Sequence, residues 1–136
     1  MIKYSEEKIS VENFNYLNEK VGWGKRDNIV VKEALDNTLY SITVYDEKKV
    51  IGYGRIIGDK TIFLYIQDII VIPEYQGNKI GTEIMNLLLK KINEYKKINP
   101  GIRTYIGPSL GRESFYKKFG FKTRKEAGLG EGMILF

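Results

Sequence analysis

Asp68-Ile69-Ile70-Val71-Ile72-Pro73-Glu74-Tyr75-Gln76-Gly77-Asn78-Lys79-Ile80-Gly81-Thr82 decides the fold. It opens inside an apolar, β-branched run, stops at a proline, passes a short polar loop with two glycines, and enters a helix. Thr61 to Ile72 is almost continuously apolar, broken only by Gln67 and Asp68, which predicts a central strand buried on both faces. Pro73 cannot continue a ladder and ends it. From Ile80 to Ile98 the apolar residues Ile80, Ile84, Leu87, Leu88, Ile92 and Tyr95 recur at helical spacing, and Asn99-Pro100-Gly101 stops the helix. A loop of little side-chain bulk opening into a helix points several backbone N–H groups into one concavity, where the helix dipole adds positive potential. Such a loop is a receptor for a pyrophosphate, or an ordinary tight connection with ordinary glycines.

Outward from this stretch the period changes twice. Upstream, Leu39–Tyr45 and Val50–Ile57 alternate around Asp46-Glu47-Lys48-Lys49 and predict a hairpin, with a second turn at Gly58-Asp59-Lys60. Further back, Ser10 reads as the cap of a helix carrying Val11, Phe14, Leu17 and Val21. Gly22-Trp23-Gly24 breaks that helix, and Asp27 caps a second one; residues 2–5 read as a first strand. Downstream come a strand at Ile102–Ile106, a short helix at Arg112–Lys118, a strand from Phe121 onward and a last strand at Gly132–Phe136. The order β, α, α, β, β, β, α, β, α, β, β predicts an α+β fold: a mixed sheet in a three-layer α/β/α arrangement. With 136 residues and no linker, one domain over 1–136 is expected.

Composition narrows the chemistry. There is no cysteine, which removes disulfides, thiolate metal sites and an acyl-enzyme through sulfur. There is no histidine, which removes the commonest general base and the usual zinc and iron ligands, so no metal site is expected. Chemistry here falls to carboxylates, tyrosines, backbone amides or water. The net charge of +5 suits an anionic partner, but the lysines lie singly or in pairs, and no helix-turn-helix, zinc or aromatic-basic RNA motif accompanies them. No nucleic acid is therefore expected. The opening residues lack a signal-peptide core and no stretch reaches a membrane span, so a cytoplasmic location without membrane attachment is expected.

Two stretches together carry a resemblance. Val71-Ile72-Pro73-Glu74-Tyr75-Gln76-Gly77-Asn78-Lys79-Ile80-Gly81 resembles the signature Gln/Arg-x-x-Gly-x-Gly/Ala that follows a strand ending in Val-x-Pro in the GNAT superfamily of acyl-CoA-dependent N-acyltransferases. Some thirty-five residues later, Ser114-Phe115-Tyr116-Lys117-Lys118-Phe119-Gly120-Phe121 resembles the family's second hallmark, a helix ending in Phe-Tyr-x-x-x-Gly-Phe. The resemblance departs at Lys79, which stands where the family has its middle glycine. The amide survives there, a Cβ is added, and the ammonium can turn toward a phosphate.

The resemblance implies the GNAT fold and direct transfer of an acetyl group from acetyl-CoA to a primary amine of a small molecule or peptide. It implies that the backbone of Ile70, Val71 and Ile72 pairs with the pantetheine arm, and that Gln76, Gly77, Asn78, Lys79, Ile80, Gly81 and Thr82 hold the pyrophosphate. Ser109 and Arg112 would line the far side of the pantetheine, and Tyr116 would protonate the departing thiolate; many relatives pair as homodimers. On chemical grounds a phenol near pKa 10 suits a thiolate leaving group, although Tyr116 also reads as a packed aromatic. Asp68, in an apolar strand, reads equally as the base that takes the amine's proton or as a structural carboxylate accepting backbone or Arg hydrogen bonds. Trp23, Tyr53 and Arg55 read as the border of an acceptor pocket, or as packing and ion pairs. Gly52-Tyr53-Gly54-Arg55-Ile56-Ile57-Gly58 imitates a dinucleotide fingerprint, but its last glycine falls one residue late and no helix follows. A non-catalytic acyl-CoA-binding module on the same fold is the alternative function.

Overall fold

A computed structural model describes residues 1–136. The elements are β1 (Ile2–Ser5), α1 (Val11–Lys20), α2 (Asn28–Asp36), β2 (Tyr40–Asp46), β3 (Lys49–Gly58), β4 (Phe63–Val71), a 3₁₀ turn (Pro73–Tyr75), α3 (Ile80–Ile98), β5 (Arg103–Ile106) and α4 (Glu113–Lys117). They fall into two compact units, Met1–Ile106 and Gly107–Phe136. No helix is long and apolar enough to cross a membrane.

In the first unit the five strands lie in the order β1-β2-β3-β4-β5. Neighbours from β1 to β4 are antiparallel, and β5 joins parallel to β4 after the α3 crossover. The strand period of two sorts side chains to opposite faces. Gly52 and Gly54 face α3, since a Cβ on Gly54 would lie 2.8 Å from Ile84 Cγ2 and 3.2 Å from Leu88 Cδ1. Tyr53 and Arg55 face the other way: the Tyr53 ring meets Phe14 of α1 edge-on at 5.8 Å, and Arg55 reaches the end of α2. Helices therefore cover both faces, giving the expected three-layer mixed α+β arrangement. The core is built from Leu17, Ile42, Ile51, Ile56, Leu64, Ile66, Ile84, Met85 and Leu88, all essentially without exposed surface.

The local signals act as expected at the caps. Ser10 accepts from the N–H of Asn13 at 3.1 Å, and Asp27 from Ile29 and Val30. The first helix closes at Lys20, with Val21 as its cap. In the β3–β4 turn Asp59 accepts from the N–H groups of Thr61, Ile62 and Phe63, and these bonds hold its carboxyl at about 2. Thr61 and Ile62 thus belong to the turn, and β4 starts at Phe63. That strand is not buried on both faces along its length: Phe63, Tyr65, Gln67, Asp68 and Ile69 are each partly exposed.

The second unit overturns two expected strands. From Phe121 the chain makes turns, and Gly132–Phe136 is exposed irregular chain. Thr123 and Glu126 explain the first change. The Thr123 N–H donates to Glu126 Oε1 at 2.9 Å and the Glu126 N–H to Thr123 Oγ1 at 3.1 Å. This reciprocal box closes a helical turn where a strand was expected. Gly128, with φ 76°, then ends the turn.

Candidate active site

The open edge of β4 comes first. Its parallel pairing with β5 ends at Ile66 opposite Ile106, while antiparallel pairing with β3 continues to Val71 opposite Gly52. Residues 67–71 therefore have a strand on one side only. The Ile72 N–H donates to the Ile51 carbonyl at 3.0 Å, making this a hydrogen-bonded pair. In an antiparallel ladder such pairs alternate, so Ile70 faces Tyr53 in the same way and the N–H and C=O of Val71 point away from β3. Of the three residues expected to offer backbone, Val71 is the one with both groups on the open side. Ile70 and Ile72 turn their side chains into the core and their amides to β3. The Val71 carbonyl accepts the Gln76 side-chain amide at 2.9 Å.

The loop after β4 is braced at its start. Tyr75 donates its hydroxyl to Asp46 at the end of β2, and Glu74 takes Lys20 at 3.1 Å and Lys49 at 3.6 Å. Asn78 bonds back to the Tyr75 carbonyl at 3.1 Å. The chain then turns through two left-handed residues, Gly77 (φ 84°) and Lys79 (φ 61°). Lys79 caps α3 without a side-chain hydrogen bond to the helix, so the first-turn N–H groups of Ile80, Gly81 and Thr82 have no side-chain acceptor. Gln76, Gly77, Asn78 and Lys79 are exposed, and space beside Gly77 is open to at least 4 Å. No carboxylate lies within residues 76–82. Uncapped amides, a positive helix end and an ammonium suit a pyrophosphate.

Asp68 sits in a β-bulge of β4. The register passes from Tyr53↔Ile70 to Arg55↔Gln67, so Asp68 and Ile69 together oppose Gly54, and Asp68 has φ 57°. Its Oδ2 accepts Arg55 Nε at 2.6 Å, with only 17% and 14% of the two side chains exposed. Arg55 Nη1 continues to the Ala34 carbonyl at 3.2 Å and Thr38 Oγ1 at 3.1 Å. Tyr53 is 1% exposed, and burial pushes its phenol up to about 12 against an opposing hydrogen bond from Ser41. Tyr53 and Arg55 are thus engaged beneath the surface, whereas Trp23 stands 48% exposed between two left-handed glycines, Gly22 and Gly24. Two buried asparagines hold that loop. The Asn15 side chain exchanges bonds with the backbone of Arg26, and the main-chain carbonyl of Asn18 accepts the N–H groups of Trp23 and Gly24. Nothing in residue type singled out Asn15 and Asn18; their place on the apolar stripe of α1 was the available signal.

In the second unit Ser109 and Arg112 are exposed, with the Arg112 N–H bonded to the Ser109 carbonyl at 3.0 Å at the start of α4. Tyr116 is buried, its ring 5.0 Å from Phe115 and 6.4 Å from Phe121. Burial raises its phenol above the usual value, partly offset by the positive charge of Arg112. Nowhere do three His, Cys, Asp or Glu side chains group to hold a metal ion.

The acetyltransferase (GNAT) domain family matches residues 3–136. The chain belongs to the GNAT acetyltransferase family. It is 36% identical, over 76% of its length, to an uncharacterized ycf52-like N-acetyltransferase of Prochlorococcus marinus, and spans 57% of that relative's length. Among solved structures it is similar to a probable acetyltransferase of Staphylococcus aureus, at 28% identity over the full length of both chains with TM-score 0.87. A GNAT-family acetyltransferase of Streptococcus pneumoniae superposes with TM-score 0.83 at 25% identity, over 100% of this chain and 98% of that one. Membership of the GNAT family implies an acyl-CoA co-substrate.

Proposed function

We propose that this GNAT domain transfers an acetyl group from acetyl-CoA directly to a primary amine of a small molecule or peptide. One observation carries the reading: the open β4 edge at Val71 runs straight into a loop whose free amides lead α3. An extended amide-bearing arm laid on that edge would end with its phosphates at the helix N-terminus. The amine nitrogen attacks the thioester carbonyl carbon, the C–S bond breaks, and the acetyl group leaves on nitrogen. The sulfur takes a proton, and the nitrogen loses one to water or a base. Tyr116 is the proposed donor to sulfur. A phenol is protonated at neutral pH, as a donor must be, and burial raises this one further. Trp23, on its pinned loop, is the residue of the three acceptor candidates with surface to offer. A cytoplasmic location remains part of the proposal.

Isothermal titration of the protein with acetyl-CoA, followed by thiol release with a panel of amines, tests this. Saturable binding with turnover is expected, and Tyr116→Phe should keep the affinity while lowering kcat about 10²- to 10⁴-fold. Binding without turnover on any amine would favour an acyl-CoA-sensing module. No binding at millimolar acetyl-CoA would sink both readings.

A further inference from the structure

The bulge in β4 is held by a bond that reaches across the sheet. Asp68 adopts left-handed backbone, which aspartate visits more readily than most residues with a Cβ but still at a cost that local bonds offset. The guanidinium of Arg55 supplies them. Its Nε holds the Asp68 carboxylate at 2.6 Å, while its Nη1 holds the Ala34 carbonyl and the Thr38 hydroxyl at the C-terminal end of α2. Thr38 itself donates to the Ala34 carbonyl at 3.1 Å, so the anchor on α2 is a closed set of bonds. Three elements meet at one planar cation: β3, the bulge of β4 and the end of α2.

The position of the bulge gives this meeting its consequence. Pairing with β5 ends at Ile66, the bulge occupies Asp68 and Ile69, and the open edge at Val71 follows two residues later. A bulge increases local twist and re-aims the residues beyond it. The direction in which Val71 presents its N–H and C=O is therefore set at Asp68. The geometry points to Arg55 and Asp68 as positioning residues for acyl transfer: the pair locks the β4 bulge, and with it the backbone edge that receives the acyl donor. In this arrangement Asp68 acts through the bond from Arg55 to its Oδ2 and not as the base. The inference rests on the acetyltransferase reading for its consequence, and on the bulge alone for its structural part.

The test uses Arg55→Lys, which keeps the charge but loses the fork, Asp68→Gly, which accepts left-handed backbone but cannot hold Arg55, and Asp68→Asn. Amide hydrogen exchange is read at Ile70 and Ile72, with Ile42 and Val44 as references, beside acetyl-CoA affinity and the pH-rate profile. Arg55→Lys and Asp68→Gly should speed exchange at Ile70 and Ile72 about tenfold relative to the references, and weaken acetyl-CoA binding about five- to twentyfold. Asp68→Asn, which still accepts a hydrogen bond from Arg55, should lose less than about tenfold in kcat and keep the acid limb of the profile. Unchanged exchange in both disruptive variants, with donor binding intact, overturns the positioning role. So does an Asp68→Asn enzyme that binds acetyl-CoA normally but has lost its rate and its acid limb, since that outcome makes Asp68 the base. If the wild-type chain fails to bind acetyl-CoA, the acetyltransferase reading falls and the donor-positioning role with it. The exchange data still decide whether Arg55 and Asp68 hold the bulge.

Discussion

Lys79 is where one residue sets two properties against each other. It occupies left-handed backbone at φ 61°, at the position where the family signature carries glycine. That conformation costs a residue with a Cβ about 1–2 kcal/mol. Glycine removes this cost but loses about 0.5–1 kcal/mol through the greater freedom of the unfolded chain. Lys79→Gly is therefore expected to stabilise the protein by about 0.5–1 kcal/mol in urea unfolding. The ammonium is exposed and has no ion-pair partner, so it is available to a phosphate beside α3. The same substitution should weaken acetyl-CoA binding about two- to fivefold at low salt, an effect fading as salt is added. Equal or tighter binding by the glycine variant would show that Lys79 contributes nothing to the donor. Asp68 teaches the complementary lesson. An acidic residue in an apolar strand was visible in the sequence, but its partner Arg55 lies thirteen positions away. The bond between the two depends on the register that brings them together, which the sequence does not display.

Glycines inside an element are decided by what their missing Cβ would strike. Gly54 lies under α3, and the nearest atoms to an added Cβ belong to side chains: Ile69 Cδ1, a chain end, at 2.7 Å and Ile84 Cγ2, a branch methyl, at 2.8 Å. Gly58 closes β3 with φ 138°, and an added Cβ would lie 2.3 Å from the Phe63 carbonyl oxygen and 2.9 Å from Leu64 Cα. Side-chain ends can rotate away; backbone cannot without opening the hairpin. Gly54→Ala should cost about 1–3 kcal/mol in chemical denaturation, and Gly58→Ala about 3 kcal/mol or more. The reverse order would mean that the β3–β4 turn is far softer than the α3 packing. The same contrast explains which elements were legible. β2, β3 and α3 carry long, unbroken periods, and their ends fall close to where the hairpin and helix signals put them. The two strands expected after Phe121 rested on short apolar stretches among glycines. In the first of them the local bonds between Thr123 and Glu126 close a turn instead. The β4 bulge left only the interruption Gln67-Asp68 and the facing Gly54 as its trace. Neither reveals an extra residue without the pairing.

For the molecule as a whole, the absence of histidine shapes the response to pH. No side-chain type present has an ordinary pKa between the carboxylates and the alkaline groups. Burial raises Tyr4, Tyr95 and Tyr116, and takes Tyr53 to about 12. An unfolded tyrosine gives up its proton near pH 10 and the folded Tyr53 near 12, so between these values the unfolded chain holds fewer protons. Stability from keeping Tyr53 neutral is thus fully present below pH 10 and drains away as pH rises to about 12. The slope is about 1.4 kcal/mol per pH unit for this one group, roughly 2–3 kcal/mol in all. Tyr53→Phe retains the edge contact with Phe14 but has no proton to lose. It should be less stable than wild type at pH 8, by about 1 kcal/mol for the lost hydrogen bond with Ser41. Between pH 10 and 12 the two stabilities should converge and then cross, as only the wild type loses the Tyr53 contribution. Urea unfolding at pH 8, 10, 11 and 12 measures this, and parallel curves for the two proteins would mean that Tyr53 gives up its proton at the same pH folded and unfolded.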